Sequence, residues 1–206
     1  MTALLALGWL SACQPAATPA ATAAPTAVPP TATLDLPEYQ TIPGVYLGTF
    51  HGTSVSSVDL FKRVGKGVAI SAVYLKWSKG FNNGLLSANR YAGRATLITW
   101  EFSPGASQKV SGYEGRVLEA IIDGHYDEYL DNWAKGMNEF GKPVLLRFGH
   151  EMNGDWYPWS GALNGGGTLD GYGDPTLADG PERFVAAYRH IHDRFLQNGA
   201  ENVLWV

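Results

Sequence analysis

Short apolar runs alternate with amphipathic stretches along most of this chain, and that alternation limits the fold more than any other feature. Strand-like runs are expected at residues 45–50, 68–77, 95–100, 144–149 and 202–206, with Glu101 closing the third. Helices are expected between them. Residues 56–64 and 83–91 are short candidates, and 126–140 carries Tyr126, Leu130, Trp133 and Met137 at three- to four-residue spacing. Residues 182–197 place Phe184, Tyr188, Ile191 and Phe195 on one face, with Pro181 at the start and Gly199 as a stop. Such alternation predicts a parallel sheet covered by helices, an α/β fold.

Two α/β architectures compete: an open doubly wound sheet and a closed (β/α)8 TIM barrel. No Gly-rich phosphate loop follows any strand, which weakens the nucleotide-binding version. Chemically distinctive residues stand instead at several strand ends: Phe50 and His51, Trp77, Trp100 and Glu101, His150 and Glu151. A ring of such residues is the functional face of a barrel. A complete barrel takes about 250 residues. Residues 39–206 hold about four and a half βα units, so a truncated barrel is expected, unable to fold well or work alone.

Residues 14–38 are dominated by Ala, Pro and Thr and read as an extended linker. Before them lies a mostly apolar stretch ending in Leu10, Ser11, Ala12 and Cys13. It resembles a bacterial lipoprotein signal, with residues 1–13 ending at a lipidated Cys13; the alternative is an ordinary secretory signal with an incidental Cys. The first reading implies a cell-surface protein held to a membrane by lipid chains. Cys13 is the single cysteine, which excludes an internal disulfide framework and a Cys-based metal site. The net charge of −4 and the absence of any Lys/Arg block argue against a nucleic-acid partner. No obligate protein partner is indicated.

The chemistry concentrates at residues 147–159, RFGHEMNGDWYPW. Glu151 stands where a buried strand opens into a loop carrying Trp156, Tyr157 and Trp159. Indole faces suit the C–H surfaces of sugars, and a carboxyl group beside them suits proton donation to a glycosidic oxygen. Strand alternation puts Leu145, Arg147, Gly149 and Glu151 on one side, and Val144, Leu146 and Phe148 towards the helices. A buried Arg147 needs a partner, expected to be Glu101 or an acid outside this chain. Trp77 and His51 are candidate sugar contacts with packing roles as the alternative, and Trp100 fits core better than platform. Trp133 is expected in the core, with His190 and His192 in the outer shell. His150 and Glu151 lack the further His of a zinc-protease motif, so no metal and no cofactor is expected. The Gly-rich residues 161–180 read as a mobile wall of the groove.

Residues 147–159, with TWE at 99–101, YDEYL at 126–130, FVAAYRH at 184–190 and GAENVLW at 199–205, resemble glycoside hydrolase family 26, a family dominated by endo-β-1,4-mannanases. The resemblance covers about residues 44–206. It implies a (β/α)8 barrel and a retaining mechanism with Glu151 as general acid/base. His150 would bind and orient the sugar, Trp156 and Trp159 would form a platform, and Glu101 would contact substrate or support the site. The family's nucleophile is a second Glu near the end of strand seven, and no residue of this chain is assigned to it. The implied substrate is a polysaccharide, β-1,4-mannan. The alternatives are mixed-linkage β-glucan, β-1,3-xylan, or a non-catalytic glycan-binding lipoprotein.

Overall fold

The computed structural model describes residues 48–50, 62, 65, 67–103 and 109–206. Cys13, the linker, His51 and the helix expected at 56–64 (Lys62 apart) lie outside the described residues. Five strands are described: β1 (Gly48–Thr49), β2 (Ile70–Lys76), β3 (Ala95–Glu101), β4 (Val144–Phe148) and β5 (Val203–Trp205). Between them come helices α1 (Asn83–Tyr91), α2 (Val117–Ile122), α3 (Asp127–Phe140) and α4 (Asp179–Gln197). All strand pairs are parallel, and the spatial order is the chain order, β1 to β5. A doubly wound sheet reverses its order at a switch point. This one never reverses, so every crossover advances in the same direction. The architecture is that of a partial (β/α) barrel.

The register fixes what each face carries. Tyr74, Thr99 and Arg147 are aligned across β2, β3 and β4, above a row formed by Ala72, Leu97, Leu145 and Leu204. Successive side chains alternate, so these residues face away from the helices. The opposite face presents Val73, Ile98, Leu146 and Trp205 in one row, with Leu75, Trp100 and Phe148 in the next. That face meets Leu130, Trp133 and Met137 of α3 and Ile191 and Phe195 of α4 in one continuous core. Full burial of each large apolar side chain contributes about 1.5–3 kcal/mol.

Local signals set the helix ends. Asn82 caps α1, its side-chain oxygen accepting from the Gly84 N–H at 2.8 Å. Gly141 ends α3 in the left-handed conformation that glycine adopts without strain, φ 63°. Helix α4 begins at Asp179, three residues ahead of the expected 182. Pro181 sits in its first turn, where a missing N–H breaks no helical bond. Acids Asp179 and Glu182 occupy that turn and Arg194 the last, as the helix dipole favours.

Helices α3 and α4 are tied on their outer side. His190 Nε2 lies 2.6 Å from Asp127 Oδ1, Arg194 forks onto Asp131, and Asn198 donates to the same Asp131 at 2.8 Å. His190 and His192 therefore belong to the helix layer. Helix α2 was not expected, being only six residues long. No helix among the described residues is long and apolar enough to cross a membrane.

Candidate active site at the end of the fourth strand

Strand β4 stops because the backbone turns left-handed twice, at Gly149 (φ 62°) and at Glu151 (φ 53°). Glycine takes that conformation freely, whereas a residue with a Cβ loses about 1–2 kcal/mol. Glu151 is the only described non-glycine residue held there. Glycine at 149 is also required by space: a Cβ would lie 2.9 Å from the Phe184 ring and 3.1 Å from Trp159. The two reversals, followed by a turn closed by Gly154 N–H to the Glu151 carbonyl at 3.0 Å, lift the Glu151 side chain onto the C-terminal rim of the sheet.

The Glu151 carboxylate is exposed, and its Oε2 accepts a hydrogen bond from Trp156 Nε1 at 3.1 Å. Trp156 is 63% exposed, with a free ring face. It lies against Gly154, where a Cβ would stand 2.6 Å from the indole. Behind this pair is a layer of rings. Tyr157 and Trp159 stack at 4.3 Å, and His150 meets them at 4.7 and 5.4 Å. Trp159 donates its indole N–H to the His150 carbonyl at 2.8 Å.

Tyr157 brings a second acid into the account. Burial raises its phenol pKa first, then the negative charges of Glu151 and Glu101. Glu101 ends β3 and so shares this rim with Glu151. Below Glu151, a cleft of about 500 Å³ is lined by Tyr74, Arg147, His150, Glu151 and Met152, among others. A second hollow of about 580 Å³, bordered by Phe102, Tyr113, Glu114, Tyr126 and Pro158, is lined by neither Glu101 nor Glu151. Of the two, only the smaller is lined by Glu151.

Several expectations need correction. Arg147 does not pair with Glu101. Its Nη2 donates to the Thr99 hydroxyl at 2.7 Å, and no carboxylate among the described residues is within ion-pair distance. Register explains this: Thr99 is Arg147's neighbour, and Glu101 lies two residues further along β3. Trp77 offers no face to a sugar. It is 1% exposed, packed against Trp100 at 4.8 Å and Tyr129 at 5.1 Å, on the helix side of the sheet. Trp159, 2% exposed, supports the loop from beneath and leaves Trp156 as its exposed indole. Trp100 and Trp133 are core.

The Gly-rich segment is tied down rather than loose. The Asp179 carboxylate accepts from the Thr168 hydroxyl at 2.7 Å and the Gly171 N–H at 3.0 Å. Arg183 donates to the carbonyls of Asn164 and Gly171. Of two cleft or rim residues, Tyr74 was not singled out from the sequence, and Tyr157 was named there only as part of the aromatic loop. For Tyr74 the signal was its parity with Arg147's face; for Tyr157 it was adjacency to Trp156. Among the described residues, no group of three or more His, Cys, Asp or Glu is arranged to hold a metal ion.

The partial (β/α) barrel thus carries an acid on the rim of its fourth strand, beside an exposed indole. The sequence profile of glycosyl hydrolase family 26 matches residues 54–206. This chain belongs to that family. It is 32% identical over 168 residues to a protein named endoglucanase H from Acetivibrio thermocellus. That match spans 79% of this chain and 16% of the relative's length. Among solved structures, the fold is similar to a β-mannanase from a symbiotic protist of the termite Reticulitermes speratus, complexed with a gluco-manno-oligosaccharide. The TM-score is 0.50 at 14% identity, covering 78% of this chain and 56% of that one.

Proposed function

We propose that the full-length protein is a retaining β-glycan hydrolase that cleaves β-1,4-mannan, with Glu151 as its general acid/base. The observation that carries this reading is the Glu151 carboxyl group on the rim of β4, hydrogen-bonded to the open indole of Trp156 and facing a cleft. A sugar ring laid on Trp156 would present its glycosidic oxygen to that carboxyl group. His150 orients the sugar from the cleft wall, and Glu101, at the end of β3, contacts the substrate or supports the site.

In the first step Glu151 gives its proton to the glycosidic oxygen as the bond to the leaving sugar breaks. A second carboxylate, for which no residue of this chain is nominated, forms an ester with the anomeric carbon. In the second step Glu151 takes a proton from water, the water oxygen bonds to the anomeric carbon, and the ester breaks. Glu101 is not given the nucleophile's role. Retention requires the two carboxyl groups about 5–5.5 Å apart.

The protein acts at the bacterial cell surface, anchored through a lipidated Cys13; loss of membrane association on Cys13→Ser is the expected result. The relative named endoglucanase H favours one second reading, a glucan as substrate. Incubating the full-length protein with β-mannan, mixed-linkage β-glucan and β-1,3-xylan tests the assignment. Release of manno-oligosaccharides with retained anomeric configuration is expected. Cleavage of glucan or xylan alone moves the substrate within the same chemistry, and cleavage of none overturns the hydrolase reading.

A further inference from the structure

The segment between Glu151 and α4 is organised around one buried amide. Asn164 is 4% exposed, and every polar atom of its side chain is used. Its Nδ2 donates to the carbonyls of Pro158 and Ser160, both at 2.8 Å. Its Oδ1 accepts the Leu118 N–H, at the start of α2, at 3.1 Å. Its backbone carbonyl accepts from Arg183 Nη1 of α4 at 3.1 Å.

The two carbonyls gripped by Nδ2 flank Trp159 on either side. Trp159 in turn donates its indole N–H to the His150 carbonyl at 2.8 Å, and that carbonyl belongs to the peptide group joining His150 to Glu151. The connection therefore runs from Asn164, through the backbone around Trp159, to the peptide that leads into the left-handed Glu151. A conformation that costs about 1–2 kcal/mol persists only where its surroundings enforce it. No other side chain fits as well at 164. Two donors and one acceptor at that length are the primary amide of Asn: Asp lacks the donors, Leu all three, and Gln is one methylene too long.

We infer that Asn164 is a positioning residue for the general acid, setting the backbone of Glu151, and the Glu151–Trp156 hydrogen bond with it, through Trp159. It touches no substrate and acts only through the loop. This inference rests on the function proposed above for its kinetic consequence, and on geometry alone for its structural one.

The test compares wild type, Asn164→Asp and Trp159→Phe in the full-length protein. Asn164→Asp keeps the acceptor and removes both donors; Trp159→Phe keeps a smaller ring and removes the link to His150 together with part of the buried indole. Kinetics on β-mannan should show kcat falling about tenfold to a hundredfold, the effect of a misplacement near 1 Å, with KM little changed. Activated aryl glycosides, which need less acid assistance, should lose less at the glycosylation step. The double variant should be no worse than the poorer single variant, because both cut the same connection. The Trp156 indole N–H resonance supplies a readout independent of turnover, and it should move towards the free-indole position in each variant.

A folded Asn164→Asp with wild-type kcat and an unmoved Trp156 resonance overturns the inference. So does an equal rate loss on both substrate types, which marks a merely structural effect. If Asn164→Asp does not fold, Trp159→Phe decides by the same two readouts. If the wild type cleaves no β-glycan, the proposed function fails, and the Trp156 resonance still decides the positioning role.

Discussion

Trp156 Nε1 lies 3.1 Å from the Oε2 of Glu151, five residues back along the same loop. A side chain that reaches back to hold a carboxylate, yet keeps its own ring face open, joins in one contact the two roles proposed above, proton chemistry and sugar stacking. The loop is arranged to permit it: Gly154 leaves room for the ring, and the left-handed Glu151 directs its side chain at the indole.

Trp156→Phe separates those two roles, keeping an aromatic face and deleting the N–H. A hydrogen bond to a charged group contributes at most about 1.5–3 kcal/mol, and solvent at this exposed carboxylate reduces that. A fall in kcat/KM of about tenfold is expected, equivalent to about 1.4 kcal/mol. Stability should stay within about 0.5 kcal/mol of wild type, as for an exposed substitution. Steady-state kinetics beside thermal melting checks both; unchanged kinetics would remove the bond from the mechanism.

Gly149→Ala should damage stability and site together. The left-handed φ costs about 1–2 kcal/mol, and the close approach to Phe184 and Trp159 adds overpacking of about 1–3 kcal/mol. A total loss of about 2–5 kcal/mol by denaturant unfolding is expected. A loss below about 1 kcal/mol would mean that the turn relaxes easily and that its geometry is not enforced.

Tyr157 reports on both rim carboxylates. Burial, then Glu151 and Glu101, hold its phenol above the ordinary value of 10.0. Removing a nearby anion makes the phenolate easier to form, so Glu151→Gln should lower the Tyr157 pKa, and Glu101→Gln should lower it less. Burial remains in both variants, so neither should return it fully to 10.0. Titration of ring-labelled tyrosine by NMR measures this. An unmoved midpoint in both variants would separate Tyr157 from the acids.

Much of this was legible in the chain. Helix α1 and the strands β3 and β4 fall where apolar pattern, caps and breakers place them, and the face carried by β4 follows from alternation alone. The same alternation contained an unused answer. Trp77 shares parity with Val73 and Leu75, the helix-facing set, so its burial was readable from the strand. Trp159 was not readable in that way. It lies in a loop without periodicity, and its burial depends on the His150 carbonyl and on the backbone gripped by Asn164, contacts set by tertiary packing. Helix α2 is too short to carry a periodic signal. The Arg147 partner depended on inter-strand register, which chose Thr99 over Glu101.

The central claim is that Glu151 supplies the proton, and Glu151→Gln in the full-length protein tests it most directly. Gln keeps the size of the side chain and cannot act as an acid. Hydrolysis of β-mannan should fall by about two to four orders of magnitude, the usual contribution of general acid–base catalysis. The glycosylation step on aryl mannosides with good leaving groups should keep far more of its rate. Equal residual rates on the two substrate types, or wild-type cleavage of mannan, would contradict the account.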